Sequence, residues 1–593
     1  MKRKEREMIR LLLFVLLFTL PAMADNFSNN QSGVSSCTID IVGSSSTPIT
    51  ATANYSPITY NCAAGTYLPA DATECATCLA GYYCGGGNYA FNELNASGLN
   101  ACPGARPSSN PGNTSQNNCY TPCASDKIDA GLDGTNCQTP KFTITTTNVN
   151  AGTEFNFYIS ASGTFYVDCG AGGTLSGTGV TNNTITRNDT TEALYTCTYS
   201  TAGTKNIRMA GLATGYNTAQ INGAASIRFG YGAGGPDSST PTLVASISGS
   251  IGQIMQTLGD SDGQQPRFTW TFAETNITSI PASLFSGVTG SISYMFNGVF
   301  YSVLGITSIP ENLFVNINSP SYALFHYAFC GSGITSIPEN LFANISGHAA
   351  SLFDKTFNSC ALLTSIPAGL FRTISGTADN MFRLTFSGTG ITSIPAELFS
   401  GVNGNGVAGE MFYRTFTNCE SLTGYIPPQL FAGLIANGSP YDSRGDGMMS
   451  NIFYNTGLAT TCPSGMTQYI TGYEDYWSGK VSCVDANLTC SAGNYLPAHG
   501  YACTQCTANN YCVGGTYPYS ATESHGITPC DTGYSSAAGA SSCTPNTINI
   551  QWDDGNGGYT AGTCSYGGSI TTPTTAPTKR GHVFTGWTFD LGN

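Results

Sequence analysis

The stretch Ile334–Ile345, ITSIPENLFANI, recurs along the chain with its proline as the fixed point. Pro281, Pro310, Pro338, Pro367, Pro395 and Pro427 stand 29, 28, 29, 28 and 32 residues apart. The copies read I/L-T-S-I-P-x-x-L-F, then a stretch of small and polar residues, then a second aromatic pair such as Phe353 with Phe357 or Phe412 with Phe416. The one-residue alternation in length falls between that second Phe and the next Ile or Leu, as Phe386 to Ile391 against Phe357 to Leu363 shows, and an indel confined to one spot marks a turn. Self-similarity at this period signals stacked units, none of which covers its apolar face alone.

The pattern places I-T-S-I on a short strand of a parallel ladder. The Pro then opens a helical turn, where its fixed φ suits the first position and its missing N–H costs nothing. Leu and Phe of that turn, with the aromatic pair, fill the interior. Ile334 and Ile337 are three apart, which departs from strict strand alternation. Cys360 and Cys419 share one register, too far apart in a stack to bond, and read as buried thiols.

The array resembles leucine-rich repeats of long surface proteins over Thr269 to Asn455. Such arrays bind through positions that vary between copies. Here those are VNINSPSYA, ANISGHAAS, RTISGTADN, SGVNGNGVAGE and AGLIANGSPYDSRGDGM. Their hydroxyls, amides and few charges suit a glycan or a protein surface better than a charged metabolite, the alternative being a merely solvated face.

The 593 residues exceed what one core holds and imply several domains. The first 24 join a basic head, an apolar run from Leu11 to Leu20 and Ala22-Met23-Ala24, which reads as a secretory signal; the run is short of a membrane span. No later stretch is apolar enough to cross a bilayer. Without the signal, 16 basic residues face 33 acidic ones, which disfavours nucleic acid. All 23 cysteines follow the signal, so disulfides are expected for most, and the odd count leaves a thiol unpaired or bonded to another chain.

Two segments share one cysteine frame: Cys62, Cys75, Cys78, Cys84 and Cys102 match Cys490, Cys503, Cys506, Cys512 and Cys530 in spacing, while Cys119 and Cys543 drift. With apolar residues this sparse, the frame implies a small domain held by bridges. A zinc site would need a second half to its ligand set, and no His lies between Cys62 and Cys119. Six cysteines allow 15 pairings, so connectivity stays open. The frame resembles growth-factor-receptor and ephrin-receptor-like modules.

From Pro140 to about Gly235, short alternating runs rich in Thr, Phe, Tyr, Ile and Val, cut by Gly and Asn, indicate a β-sandwich. The stretch resembles the polycystic-kidney-disease-type Ig-like domain. Cys169 and Cys197 stand where that family has an aromatic and a His, and the resemblance, with both departures being cysteines, implies a bridge between them. After Pro545, INIQWDDGNGGYTAGTCSYGG and the GHVFTGW ending resemble the internalin-type B repeat, a β-grasp unit; Cys564 sits on its second strand without an evident partner.

The expected order is a signal at 1–24, a polar linker at 25–61, a cysteine-rich module at 62–138, an Ig-like sandwich at 139–235, a solenoid with caps at 236–484, a second module at 485–545 and a B repeat at 546–593. Arg444-Gly445-Asp446, in a Gly- and Pro-rich setting, is the tripeptide displayed by integrin ligands. Gly259–Gly263, GDSDG, fits a hydrolase nucleophile at Ser261 only in letters, as GYGAGG at Gly230 and GNGVAG at Gly404 fit a dinucleotide loop. No catalytic, cofactor or metal constellation emerges. The expectation is a mainly β, multidomain, non-enzymatic binding protein at the cell surface or secreted. Its partner would be a protein or glycan of a host or neighbouring cell. Alternatives are a structural component of an outer layer or fibre and, further off, a hydrolase with binding appendages.

Overall fold

The computed structural model describes residues 56–589 except 220–224, 233–234, 237, 404–407, 436–446, 470–474 and 499. The signal segment, nearly all of the linker and the Arg444-Gly445-Asp446 tripeptide lie outside the described residues. The chain divides into Met1–Ile58 and Thr59–Asn593, and every secondary-structure element described lies in the second. It is mainly β. Among the described residues α-helix is limited to Thr240–Leu243 and Ala432–Ile435, and no helix is long and apolar enough to cross a membrane.

Each cysteine-rich module is a set of two-stranded ribbons with the same plan. Thr59–Cys62 pairs with Gly87–Ala90, Thr66–Tyr67 with Ala76–Thr77, and Tyr82–Tyr83 with Asn100–Ala101. Asn487–Cys490 with Gly515–Pro518, Asn494–Tyr495 with Thr504–Gln505, and Asn510–Tyr511 with Thr528–Pro529 repeat it. Tyr67, Cys78 and Cys84 form the small apolar centre of the first module. One tight turn recurs. The Tyr89 hydroxyl donates to Gly86 O and its ring covers Gly98, as the Tyr517 hydroxyl donates to Gly514 O and covers Gly526. Both covered glycines have positive φ and leave no space for a Cβ.

The sandwich consists of strands β1 (Phe142–Thr146), β2 (Glu154–Ile159), β3 (Ala161–Asp168), β4 (Gly173–Gly177), β5 (Val180–Thr181), β6 (Thr184–Arg187), β7 (Ala193–Tyr199), β8 (Asn206–Tyr216), β9 (Ile227–Arg228) and β10 (Val244–Gly249). One sheet has the order β4-β7-β2-β9 and the other β5-β6-β3-β8-β1-β10. Burial alternates residue by residue along β1 and β3, so one face of each strand fills the space between the sheets. Strand β10 extends the second sheet past the expected boundary at 235, because it pairs with β1 from Val244 to Gly249.

Beyond the sandwich the chain winds into coils that stack, and the stacking is read directly from three ladders of phenylalanine. Phe272, Phe300, Phe329, Phe357, Phe386, Phe416 and Phe453 follow one another at centroid spacings between 5.5 and 5.7 Å. Phe268, Phe296, Phe325, Phe353, Phe382 and Phe412 form the second ladder. The Phe of each L-F pair, from Phe285 to Phe431, forms the third. Rings in these ladders lie near parallel, while neighbours across ladders tilt, as Phe342 does against Phe353 at 54° and 4.8 Å. Tilted aromatic pairs add about 0.5–1.5 kcal/mol each beyond area burial.

Both ends of the stack are covered. Phe142 and Phe229 of the sandwich region pack on Phe272 at 6.1 and 5.7 Å, and Trp477 closes the third ladder against Phe431. One apolar core therefore runs from Phe142 to Trp477. The sandwich is the cap that a repeat stack needs over its first exposed face.

The local structure of the coils differs from the expected strand-and-helix alternation. I-T-S-I forms no strand. Both Ile are buried and the Thr-Ser between them is exposed, a two-in, two-out arrangement with isolated inter-coil bonds such as Thr335 N–H to Thr307 O at 3.0 Å. Apart from isolated parallel bridges, Gly347 with Ile374 and Ile426 with Ser482, parallel pairing within the coils is limited, among the described residues, to Thr423–Gly424 with Gly457–Leu458. After each proline comes a single turn, Leu341 N–H to Pro338 O for instance, and only the last copy continues into the helix Ala432–Ile435.

At the C-terminal end β11 (Thr547–Asp553) and β12 (Tyr559–Ser565) form a hairpin, and Trp587 and Phe589 of the returning segment pack edge-on against Trp552. No further strand or helix completes a β-grasp among the described residues. Between the two, TTPTTAP contains prolines that lack the donors a third strand would need.

Candidate ligand-binding face

The regular part of each coil is the aromatic segment. In Tyr294–Ser302 Met295, Phe296, Val299 and Phe300 enter the core, and Asn297 and Gly298 between them are covered as well. Every fourth residue is left-handed: Tyr294, Gly298 and Ser302 have φ of 63°, 60° and 53°. The same holds at Tyr327, Lys355, Leu384, Arg414 and Asn451 in later coils. For a non-glycine this costs roughly 1–2 kcal/mol. Hydrogen bonds between coils offset it: Gly298 N–H donates to His326 O, Tyr327 N–H to Asp354 O, Lys355 N–H to Arg383 O and Leu384 N–H to Tyr413 O. Backbone donors of this segment are thus spent within the stack, and the face presents side chains.

The outward positions have two characters. Nearest the sandwich they are aromatic. Gly298 lies directly beneath the Trp270 ring, so the ring crosses the second coil and reaches Tyr301 and Tyr327 at 5.3 and 6.0 Å. Tyr231, nearly buried, supports Trp270 at 5.8 Å; burial, with Glu274 beside it, pushes its phenol up to about 12. Lys355 Nζ sits over the Tyr327 ring and donates to its hydroxyl. Asn297, next to Gly298, is 9% exposed, and its Oδ1 has no hydrogen-bond partner.

Farther along, the same positions are ionic. Asp354, its side chain only 1% exposed, accepts from Arg383 Nη2 at 2.8 Å and Nε at 3.2 Å, and His326 Nε2 lies 3.3 Å away. Arg383 Nη1 also reaches Glu410 at 3.3 Å. Burial opposes ionisation of Asp354, but His326 beside it and the hydrogen bonds from Arg383 prevail and hold the carboxyl below its ordinary range.

The sequence-predicted cysteines are joined between neighbours in each module: Cys62–Cys75, Cys78–Cys84 and Cys102–Cys119, then Cys490–Cys503, Cys506–Cys512 and Cys530–Cys543. Cys169, just after β3, is bonded to Cys197 on β7, which ties the two sheets of the sandwich together. Cys123–Cys137 and Cys462–Cys483 fall outside the duplicated frame, and sequence reasoning missed both. Cys330, Cys360 and Cys419 are buried free thiols, and burial pushes Cys360 up to about 11. Cys564 is free and half-buried on β12.

Ser261 precedes a three-residue 3-10 helix, Asp262–Gln264, which is not the strand–turn–helix of a hydrolase elbow. The GNGVAG and GYGAGG stretches lie largely or partly outside the described residues. Trp270, Tyr301 and Tyr327 were not legible in the proline-anchored alignment. Aligning on the second phenylalanine ladder instead puts Trp270, Gly298 and Tyr327 in one column. No protein-family model, curated protein or solved structure matches this chain.

Proposed function

We propose that this is an exported cell-surface or secreted binding protein, whose stacked coils form a leucine-rich-repeat-like solenoid that recognises a protein or glycan of a host or neighbouring cell. The observation that carries the reading is the outward aromatic stripe of Trp270, Tyr301 and Tyr327, ring surface that the core does not use. Nine disulfides among the described residues support an oxidising destination. The two-sheet sandwich supports the kinship with polycystic-kidney-disease-type domains, and the reading assigns no reaction.

The test is attachment of the purified chain to arrays of host proteins and glycans, with the double variant Trp270→Ala/Tyr327→Ala beside it. Binding by the parent chain that the variant loses supports the reading; equal binding by both removes the face from it. A second reading, a component of an outer layer or fibre, is favoured by the free, half-buried Cys564. Non-reducing electrophoresis separates the two, since chains joined through Cys564 run as a dimer band that Cys564→Ser abolishes.

A further inference from the structure

The geometry points to an uncharged polysaccharide as the ligand of the Trp270–Tyr301–Tyr327 stripe, an assignment that rests on the binding reading above and narrows it to one chemistry. Three rings at centroid spacings of 5.3, 6.0 and 6.1 Å form a stepped surface, with Trp270 and Tyr301 at 82° and Tyr301 and Tyr327 at 78°. Such spacing is comparable to one pyranose ring, and the apolar face of a sugar stacks on an aromatic face while its hydroxyls stay free to hydrogen-bond. Gly298 is the enabling residue: a Cβ there would stand 2.2 Å from the Trp270 ring, so only glycine lets the indole lie flat across the second coil toward Tyr327.

Charge argues for a neutral partner. Lys355 is engaged by the Tyr327 hydroxyl and ring, while Asp354 and Arg383 are paired with each other one coil away. An anionic polymer would meet a chain of net charge -14, and would find no cluster of cations on the stripe. A peptide adding as a strand would need free backbone donors, but those of Trp270, Gly298 and Tyr327 are given to the next coil.

The experiment is affinity electrophoresis of the full chain in gels containing a neutral glucan, a neutral xylan or a neutral mannan, with polygalacturonate as the anionic arm. Retardation by at least one neutral polymer and not by polygalacturonate is expected. Trp270→Ala is expected to weaken it about tenfold, the loss of one ring's stacking. Tyr327→Phe keeps the ring and should keep most of the retardation. Gly298→Leu removes no ring but lifts the indole, and should weaken retardation as Trp270→Ala does; unchanged thermal unfolding of each variant certifies the fold. Retardation by no neutral polymer overturns the assignment, as does retardation that all three variants leave intact. If the chain instead binds a host protein on the array and Trp270→Ala abolishes that, the polysaccharide is wrong while the binding reading stands. If neither arrays nor gels detect any ligand, both fall.

Discussion

The coil stack and the cysteine-rich modules solve the same problem in opposite ways. A module of some sixty residues has too little interior to offset chain entropy, and its three bridges, each spanning 6 to 17 residues, restrict the unfolded chain instead. The coils from Phe268 to Phe453 contain no disulfide among the described residues, although Cys330, Cys360 and Cys419 are present there. Three ladders of stacked rings and one core shared with the sandwich do the holding. Oxidation therefore acts directly on the modules, and on the coils only through their covers, by Cys169–Cys197 in the sandwich and Cys462–Cys483 beyond Phe453.

The largest effect follows from that contrast. Reduction of the native chain at neutral pH should release residues 62–137 and 490–543 to rapid amide hydrogen exchange, because removing a native bridge from a small domain costs about 2–5 kcal/mol and each module loses at least three. The segments around Phe325, Phe353 and Phe382 should stay protected. Loss of protection in both regions together would mean that the stack depends on its bridged neighbours, and the comparison would break.

The second expectation strikes the stack. Phe353 touches Phe325, Phe342, Phe371 and Phe382 at 5.8, 4.8, 4.7 and 5.7 Å, so it belongs to the second ladder and buttresses the third. Phe353→Ala should cost about 3–5 kcal/mol, read as a lower urea midpoint for the coils. Because each coil is stabilised by its neighbours, exchange should rise across the coils as one unit rather than at the mutated one alone. A local rise confined to residues near Phe353 would show that the coils are separate globules.

How much of this was legible differs by level. The repeat was readable because Pro338 and its equivalents fix a register, and the modules because identical cysteine intervals recur. Which cysteines bond was not, since spacing alone left 15 pairings. The coil backbone was misread for a physical reason: left-handed turns usually announce themselves as glycine, yet Tyr327, Lys355, Leu384 and Arg414 adopt that conformation here because the inter-coil bonds hold them there. The same disguise hid the aromatic stripe. Its one glycine, Gly298, looks like any other in a chain with 71 of them, and its meaning depends on the indole one coil away.

The smallest effect sharpens the account of what joins the coils. Asp354 reaches from the fourth turn segment to Arg383 of the next and His326 of the one before, so one buried carboxylate links three successive coils. Its carboxyl is held below the ordinary range in the folded chain. A depressed folded value means that the stabilisation is fully present above the unfolded value and lost as pH falls through the folded one. The urea midpoint of the coils should therefore be insensitive to this group near pH 7 and decline below about pH 4. Asp354→Asn should lower the midpoint at pH 7 by an amount equivalent to about 1.5–3 kcal/mol, the worth of hydrogen bonds to a charged group, and should flatten the acid decline. An Asp354→Asn chain that kept the parent's acid slope would place that sensitivity in other carboxylates. The Asp354–Arg383 pair would then add nothing measurable to the joining of the coils.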